Sequence, residues 1–187
     1  NTTTDIWPKI LQKISLQFKN IELFDQNFQN IELNLSRMTK NWLLGIESEM
    51  ATGQITIPDD QNSRWDLNFK KLYLKAGTEI TKKPLNAKDI PALHFSANDF
   101  RYGNKQFGKT NLTLTPTSKG LKIQQLSAES NAFSLTAEGD WQTQFNRNDT
   151  HLVGQIHIYD VGETLARFGT SASITGKEGR LYFILDW

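Results

Sequence analysis

The chain has 187 residues, no cysteine and a formal net charge of +1. These numbers exclude a disulfide scaffold, thiol chemistry and cysteine-held zinc, and they leave no strong field to recruit nucleic acid or an anionic membrane. No run of about 18 apolar residues occurs, so no segment reads as a membrane-spanning helix.

The first predicted element is a short helix over Asp5–Lys13, with Ile6, Trp7, Ile10 and Leu11 on one side and Pro8 in the first turn. Period-two alternation then takes over. It runs through Ile14-Leu16-Phe18, Ile21-Leu23, Ile31-Leu33-Leu35, Ile55-Ile57 and Trp65-Leu67-Phe69. Alternation puts one apolar and one polar row on opposite faces of a strand. Residues 75–92 are a Lys-rich connection without periodicity and read as a loop. Alternation resumes at Leu93-Phe95-Ala97 and continues through Leu112-Leu114, Leu121-Ile123, Phe133-Leu135-Ala137 and Leu181-Phe183-Leu185. Turn formers separate the runs, among them Pro58-Asp59-Asp60, Gly103-Asn104 and Asn146–Asp149. Before the last strand, Asp160 and Glu163 have capping-box spacing, Val161, Leu165 and Phe168 share a stripe, and Gly169 is a natural stop. A second short helix is therefore expected near 160–168. The chain begins at Asn1 and ends at Trp187 within a strand-like run, and we expect it to be a stretch of a longer protein.

The two halves resemble each other. One offset carries Ile14, Leu16 and Phe18 onto Leu93, Phe95 and Ala97, then Phe28 onto Phe107, Leu33 and Leu35 onto Leu112 and Leu114, and Trp42 and Leu44 onto Leu121 and Ile123. With one inserted residue, Ile46, Ile55 and Ile57 fall on Leu126, Leu135 and Ala137. The expected organisation is a first β-meander repeat over 1–74, a linker over 75–92 and a second repeat over 93–187.

About a dozen strands some 4.8 Å apart and roughly 20 Å long give an apolar face of order 1,100 Å². Two short helices cannot hide it, and exposed patches of that size are rare on soluble monomers. A sandwich, a barrel and an open gutter holding lipid chains each resolve the problem, and alternation does not choose among them.

The residues show no catalytic constellation. His94, His151 and His157 match no metal or triad spacing and read as surface histidines. Asp59-Asp60 lacks the remaining positions of a calcium loop and reads as a turn. No phosphate loop, dinucleotide fingerprint or nucleophile elbow is present. Lys70, Lys71, Lys75, Lys82, Lys83 and Lys88 form one basic cluster, interrupted by Glu79 and Asp89, and read as a solvated loop. Phe18, Trp42, Trp65, Phe69, Phe95, Phe107, Phe133 and Trp141 fall mostly on the apolar parity. That placement disfavours a carbohydrate-binding domain built on the tryptophans, for which aromatics on the wet face would be needed.

Residues 90–141 carry Pro91, Leu93, Asp99, Phe100, Phe107, Gly108, Gly120, Leu121, Ala137, Gly139 and Trp141 in a characteristic cadence. "LVGQIHIYDVGETLARFG" and "ITGKEGRLYFILDW" follow. This order resembles the AsmA-like proteins, most closely the YhdP branch. The resemblance covers 90–187 well and 14–70 only through the repeat. It implies an all-β, elongated, curled antiparallel sheet with a hydrophobic groove, built from strand-meander repeats with one or two short helices. It also implies a C-terminal-region stretch of a very large, inner-membrane-anchored envelope protein of Gram-negative bacteria, with this part in the periplasm. Such proteins are thought to carry phospholipid toward the outer membrane. The implied partners are phospholipid acyl chains, the remainder of the same chain and other envelope proteins, with no nucleic acid, no cofactor, no metal and no catalytic residue. On that reading the groove is lined by Leu16, Phe18, Leu33, Leu35, Leu44, Phe69, Phe95, Leu112, Leu114, Ile123, Leu135, Ile156 and Phe183. The alternative is a self-contained β-sandwich or adhesin-like interaction module without lipid.

Overall fold

The computed structural model describes residues 12–23, 26–76, 86–144, 147–171 and 173–187. Alternation produces eleven strands: β1 (Lys13–Leu23), β2 (Gln26–Arg37), β3 (Asn41–Glu47), β4 (Ala51–Pro58), β5 (Trp65–Leu74), β6 (Leu93–Tyr102), β7 (Lys105–Thr117), β8 (Gly120–Glu129), β9 (Phe133–Gln144), β10 (Arg147–Asp160) and β11 (Lys177–Asp186). They form one sheet in which each strand lies beside its neighbour in sequence. The sheet is curled and unclosed. Strands β1 and β11 are its two edges, so it is neither a barrel nor, among the described residues, a two-sheet sandwich.

One pairing departs from the expected antiparallel meander. Strands β5 and β6 are parallel, while the other nine pairs are antiparallel. A parallel pair needs a crossover instead of a hairpin, and residues 75–92 supply it. That segment is not wholly irregular. A 3₁₀ turn, Ala87–Asp89, is opened by Asn86, whose side chain accepts a hydrogen bond from the Lys88 amide. Residues 5–11 of the expected first helix lie outside the described residues, and Lys13 opens β1 instead of ending a helix.

The register of β1–β5 recurs in β6–β10. Ile14 pairs with Leu35 and Leu16 with Leu33, as Leu93 pairs with Leu114 and Phe95 with Leu112. The inserted residue is a β-bulge at Gln124, where pairing to β7 steps from Gln125 to Ile123. The β3–β4 turn Glu47-Ser48-Glu49-Met50-Ala51 matches the β8–β9 turn Glu129-Ser130-Asn131-Ala132-Phe133. Ser48 and Ser130 bond the residues three ahead in the same way. The Tyr73 and Tyr159 amides donate to the equivalent Met50 and Ala132 carbonyls. The sequence alignment slips at the fourth strand. Leu44 faces Ile55 and Trp42 faces Ile57, whereas Ile123 faces Gly139 and Leu121 faces Trp141. Ile55 and Ile57 thus correspond to Gly139 and Trp141, not to Leu135 and Ala137. Phe107 is likewise one residue out of step with Phe28, because Phe100 pairs with Gly108 where Ile21 pairs with Phe28.

The second helix forms where expected, as α1 (Val161–Arg167). The Asp160 carboxylate accepts from the Glu163 amide at 2.8 Å. Glu163 does not complete the capping box. It accepts from Arg167 one turn on, at 3.0 Å, while the Asp160 amide donates to the Ala132 carbonyl. The Thr164 hydroxyl, also within reach of Ala132 O at 3.0 Å, ties the helix to the β8–β9 turn. Removing the cap by Asp160→Ala should lower stability by about 1 kcal/mol in a denaturant titration.

The parallel seam is stitched on the polar face. Tyr73 on β5 donates its hydroxyl to Asp99 on β6 at 2.5 Å. Arg101 bonds the same carboxylate at 2.8 Å and lies 4.3 Å over the Tyr73 ring. Burial alone would raise the Asp99 carboxyl, but the bonds from Arg101 and Tyr73 and the positive charge of Arg101 and Arg167 hold it below the usual carboxylate value. The hydrogen bond to Asp99 pushes the Tyr73 hydroxyl up. A carboxyl depressed in the folded state stabilises the protein above its unfolded value, about 3.9 for Asp, and that contribution is lost as acid protonates the folded group. The melting temperature of the native protein should therefore fall more between pH 5 and pH 2 than that of Asp99→Asn. Parallel curves would show that the seam carries no such linkage.

Candidate functional site: the apolar face

Cross-strand partners share a face, so the registers can be followed from edge to edge. One ladder reads Ile14, Leu35, Leu44, Ile55, Leu67, Phe95, Leu112, Leu126, Ala137, Gly154, Phe183. It crosses all eleven strands without a polar side chain. A second reads Leu16, Leu33, Ile46, Gly53, Phe69, Ala97, Thr110, Ala128, Leu135, Ile156, Leu181. Its one hydroxyl, on Thr110, is buried and reaches the Gly108 carbonyl. A third, over β5–β11, reads Trp65, Leu93, Leu114, Ile123, Gly139, Leu152, Leu185.

Glycines on these ladders seat rings. Phe69 lies over Gly53, where a Cβ would come 2.7 Å from the ring, and Phe183 lies over Gly154, where a Cβ would come 2.5 Å from it. Phenylalanines also link along the face from Phe69 through Phe95, Phe100 and Phe107 to Phe168 and Phe133, with successive centroids 5.1–6.1 Å apart.

All thirteen groove candidates stand on this face. Twelve belong to the ladders, and Phe18, paired with Ile31, packs with Phe28 and Phe69. Their burial differs. Phe69, Leu114 and Ile123 are buried, Leu16 on the edge strand is 45% exposed, and the other nine are half-buried. Leu114 and Ile123 pack with Ala87 of the 3₁₀ turn. At the other end of the same strands, Phe168 beyond α1 packs with Phe107 and Phe133. Two short helical elements thus pin the apolar face of β7–β10 near its two rims. Leu35 and Leu44 lie outside every packed cluster of the described residues. The sequence missed the 3₁₀ turn, and with it the distinction between covered and uncovered positions on one parity.

The opposite face is polar but less exposed than alternation suggests. Lys122 is exposed, whereas Glu32, Asn34 and Thr113 are half-buried because polar neighbours pair across strands. Ser15 and Asn34, Asn68 and Ser96, and His94 and Thr113 are such pairs, and Asn34 also donates to Glu32 on its own strand. His151 lies 2.5 Å from the Asp186 carboxylate, and His157 packs against the Tyr159 ring. Asp59 is held by Arg37, and that hydrogen bond keeps its carboxyl low; Asp60 accepts from Asn62 and Ser63 within the turn. Lys82 and Lys83 of the basic cluster lie outside the described residues. Among the described residues no helix is long and apolar enough to cross a membrane, and no group of three acidic or histidine side chains could hold a metal.

The YhdP protein family model matches residues 1–187. The chain belongs to the YhdP family. A curated relative, the intermembrane phospholipid transporter YhdP of Escherichia coli (strain K12), is 20% identical over 188 residues, covering 94% of this chain. The chain spans 15% of the length of that relative. No solved structure matches. For a YhdP-family sheet, the feature that sets the apolar face apart from an ordinary core is its extent, edge to edge, with covers over only part of it among the described residues.

Proposed function

We propose that the apolar face shelters phospholipid acyl chains while their headgroups stay in water, as one segment of a longer transporter between the two membranes of a Gram-negative envelope. The carrying observation is the ladder of eleven apolar residues that crosses the whole sheet. At about 4.8 Å per strand it makes a track roughly 50 Å long. Burial of acyl chain contributes about 0.8 kcal/mol per methylene, and a track without charges or deep polar anchors lets a chain slide. The family membership and the name of the Escherichia coli relative support phospholipid as the cargo. The chain carries no chemistry on this reading. The rest of the same polypeptide, and other envelope proteins, would continue the path.

Native mass spectrometry of the chain purified from bacterial cells tests this. Bound species at phospholipid masses are expected, displaced by added detergent. A bare protein mass, together with failure to extract a fluorescent phospholipid from vesicles, would overturn the proposal.

A further inference from the structure

On the polar face side-chain hydrogen bonds cross several strand pairs, Ser134 to Tyr159 and His151 to Asp186 among them, but among the described residues the middle of β9–β11 carries none. The central polar row reads Ser15, Asn34, Gly45, Gln54, Asn68, Ser96, Asn111, Ser127, Thr136, Gln155, Tyr182. Hydrogen bonds join Ser15 to Asn34, Asn68 to Ser96 and Asn111 to Ser127. Beyond Ser127, no side-chain hydrogen bond involves Thr136, Gln155 or Tyr182 among the described residues.

There the surface opens into a shallow cleft of about 490 Å³. The bulge in β8 makes it, because Gln124 and Gln125 fall between the paired positions Ile123 and Leu126 and are not matched to β9. Bulges re-aim side chains in this way beside functional sites. Gln124, Gln125, Thr136, Glu138, Gln155 and Tyr182 line the cleft together with Leu126, Ala137, Val153 and Gly154. The three glutamines, Thr136, Glu138 and Tyr182 are all exposed, Tyr182 at 71%.

We infer that this cleft is a second binding site, one that takes a neutral oligosaccharide. A sugar presents hydroxyls that both donate and accept, with a flat face of C–H groups between them. Three glutamine amides each offer a carbonyl acceptor and two N–H donors, and Thr136 adds a hydroxyl. Tyr182 supplies an aromatic face against which the C–H groups stack, with a hydroxyl at its tip. One carboxylate, Glu138, is the only charge in the lining, which disfavours an anionic ligand. Open, shallow clefts with convergent polar groups suit a chain that must be held by several weak contacts. The site lies on the face opposite the acyl-chain track, so it stands or falls independently of lipid binding.

Saturation-transfer NMR on the 187-residue chain, with chitotetraose, cellotetraose and maltotetraose as separate probes, tests the assignment. At least one should bind with millimolar or better affinity. Tyr182→Ala should weaken that binding at least tenfold and Gln155→Ala several-fold, while Tyr182→Phe retains most of it. Thermal melts of all three variants should overlay on the parent, since these side chains are exposed. Binding of none of the three probes, or binding that survives Tyr182→Ala, would overturn the site. So would a photo-crosslinker at Gln155 that traps a protein in cells and is not protected by saccharide, because the cleft would then be a protein-docking surface.

Discussion

Leu114→Asp should unfold the protein. Leu114 is 6% exposed and sits in a cluster with Ala87, Leu121 and Ile123, beneath the 3₁₀ turn of the crossover. A carboxylate placed there would be buried in a cluster made wholly of apolar residues. It costs several kcal/mol, against a typical total stability of about 5–15 kcal/mol. The control Leu114→Ala leaves a cavity and should cost about 2–5 kcal/mol. Thermal melts read both changes. A Leu114→Asp protein that melts within about 2 °C of the parent would show that the 3₁₀ turn does not seal this end of the face.

The same charge a few strands away should act on cargo instead of folding. Leu35 and Leu44 are cross-strand partners on the first ladder, half-buried and outside every packed cluster of the described residues. A carboxylate at either position can turn to solvent, so Leu35→Asp and Leu44→Asp should each cost no more than about 1–2 kcal/mol. Acyl chains passing the site would have to desolvate the charge. Capture of a fluorescent phospholipid from vesicles should fall at least tenfold in the double variant, with the fold kept. Full capture by a folded double variant would place the track elsewhere.

The contrast between Leu114 and Leu44 also shows what could be read from sequence. Both occupy the apolar parity of short alternating runs, and parity is what side-chain spacing encodes. Alternation therefore found the strands, the two faces and most of the repeat. It could not tell Leu114 from Leu44, because the cover over Leu114 is a three-residue turn too short to show a period. Nor could it give strand direction. Trp65-Leu67-Phe69 and Leu93-Phe95-Ala97 alternate identically whether they run parallel or antiparallel, so the β5–β6 seam was invisible. The slip at Ile55 and Ile57 has the same root, since a shift by an even number of residues preserves parity. Only the matched serine turns at Ser48 and Ser130 fix the true correspondence. The alternation Leu181-Phe183-Leu185 puts Tyr182 on the opposite parity, but a single tyrosine there spells no motif and so marks no site.

The parallel seam has a consequence in the arithmetic of direction. The unit β1–β5 holds an odd number of strands, so it ends heading the way it began. A second copy can keep that heading only if its first strand runs alongside the last strand of the first copy, which obliges the chain to travel back from one rim of the sheet to the other. A hairpin at this point would have turned the second copy upside down and exchanged the two rims. Because the heading is kept, the serine-capped turns of both copies sit on the same rim. The returning segment also delivers Ala87 to the opposite rim, against Leu114 and Leu121. At the next long connection, α1 joins an antiparallel pair and the heading reverses. The molecule is thus directional over its first ten strands and changes sense at the eleventh, so its two edges present different ends to whatever adjoins them.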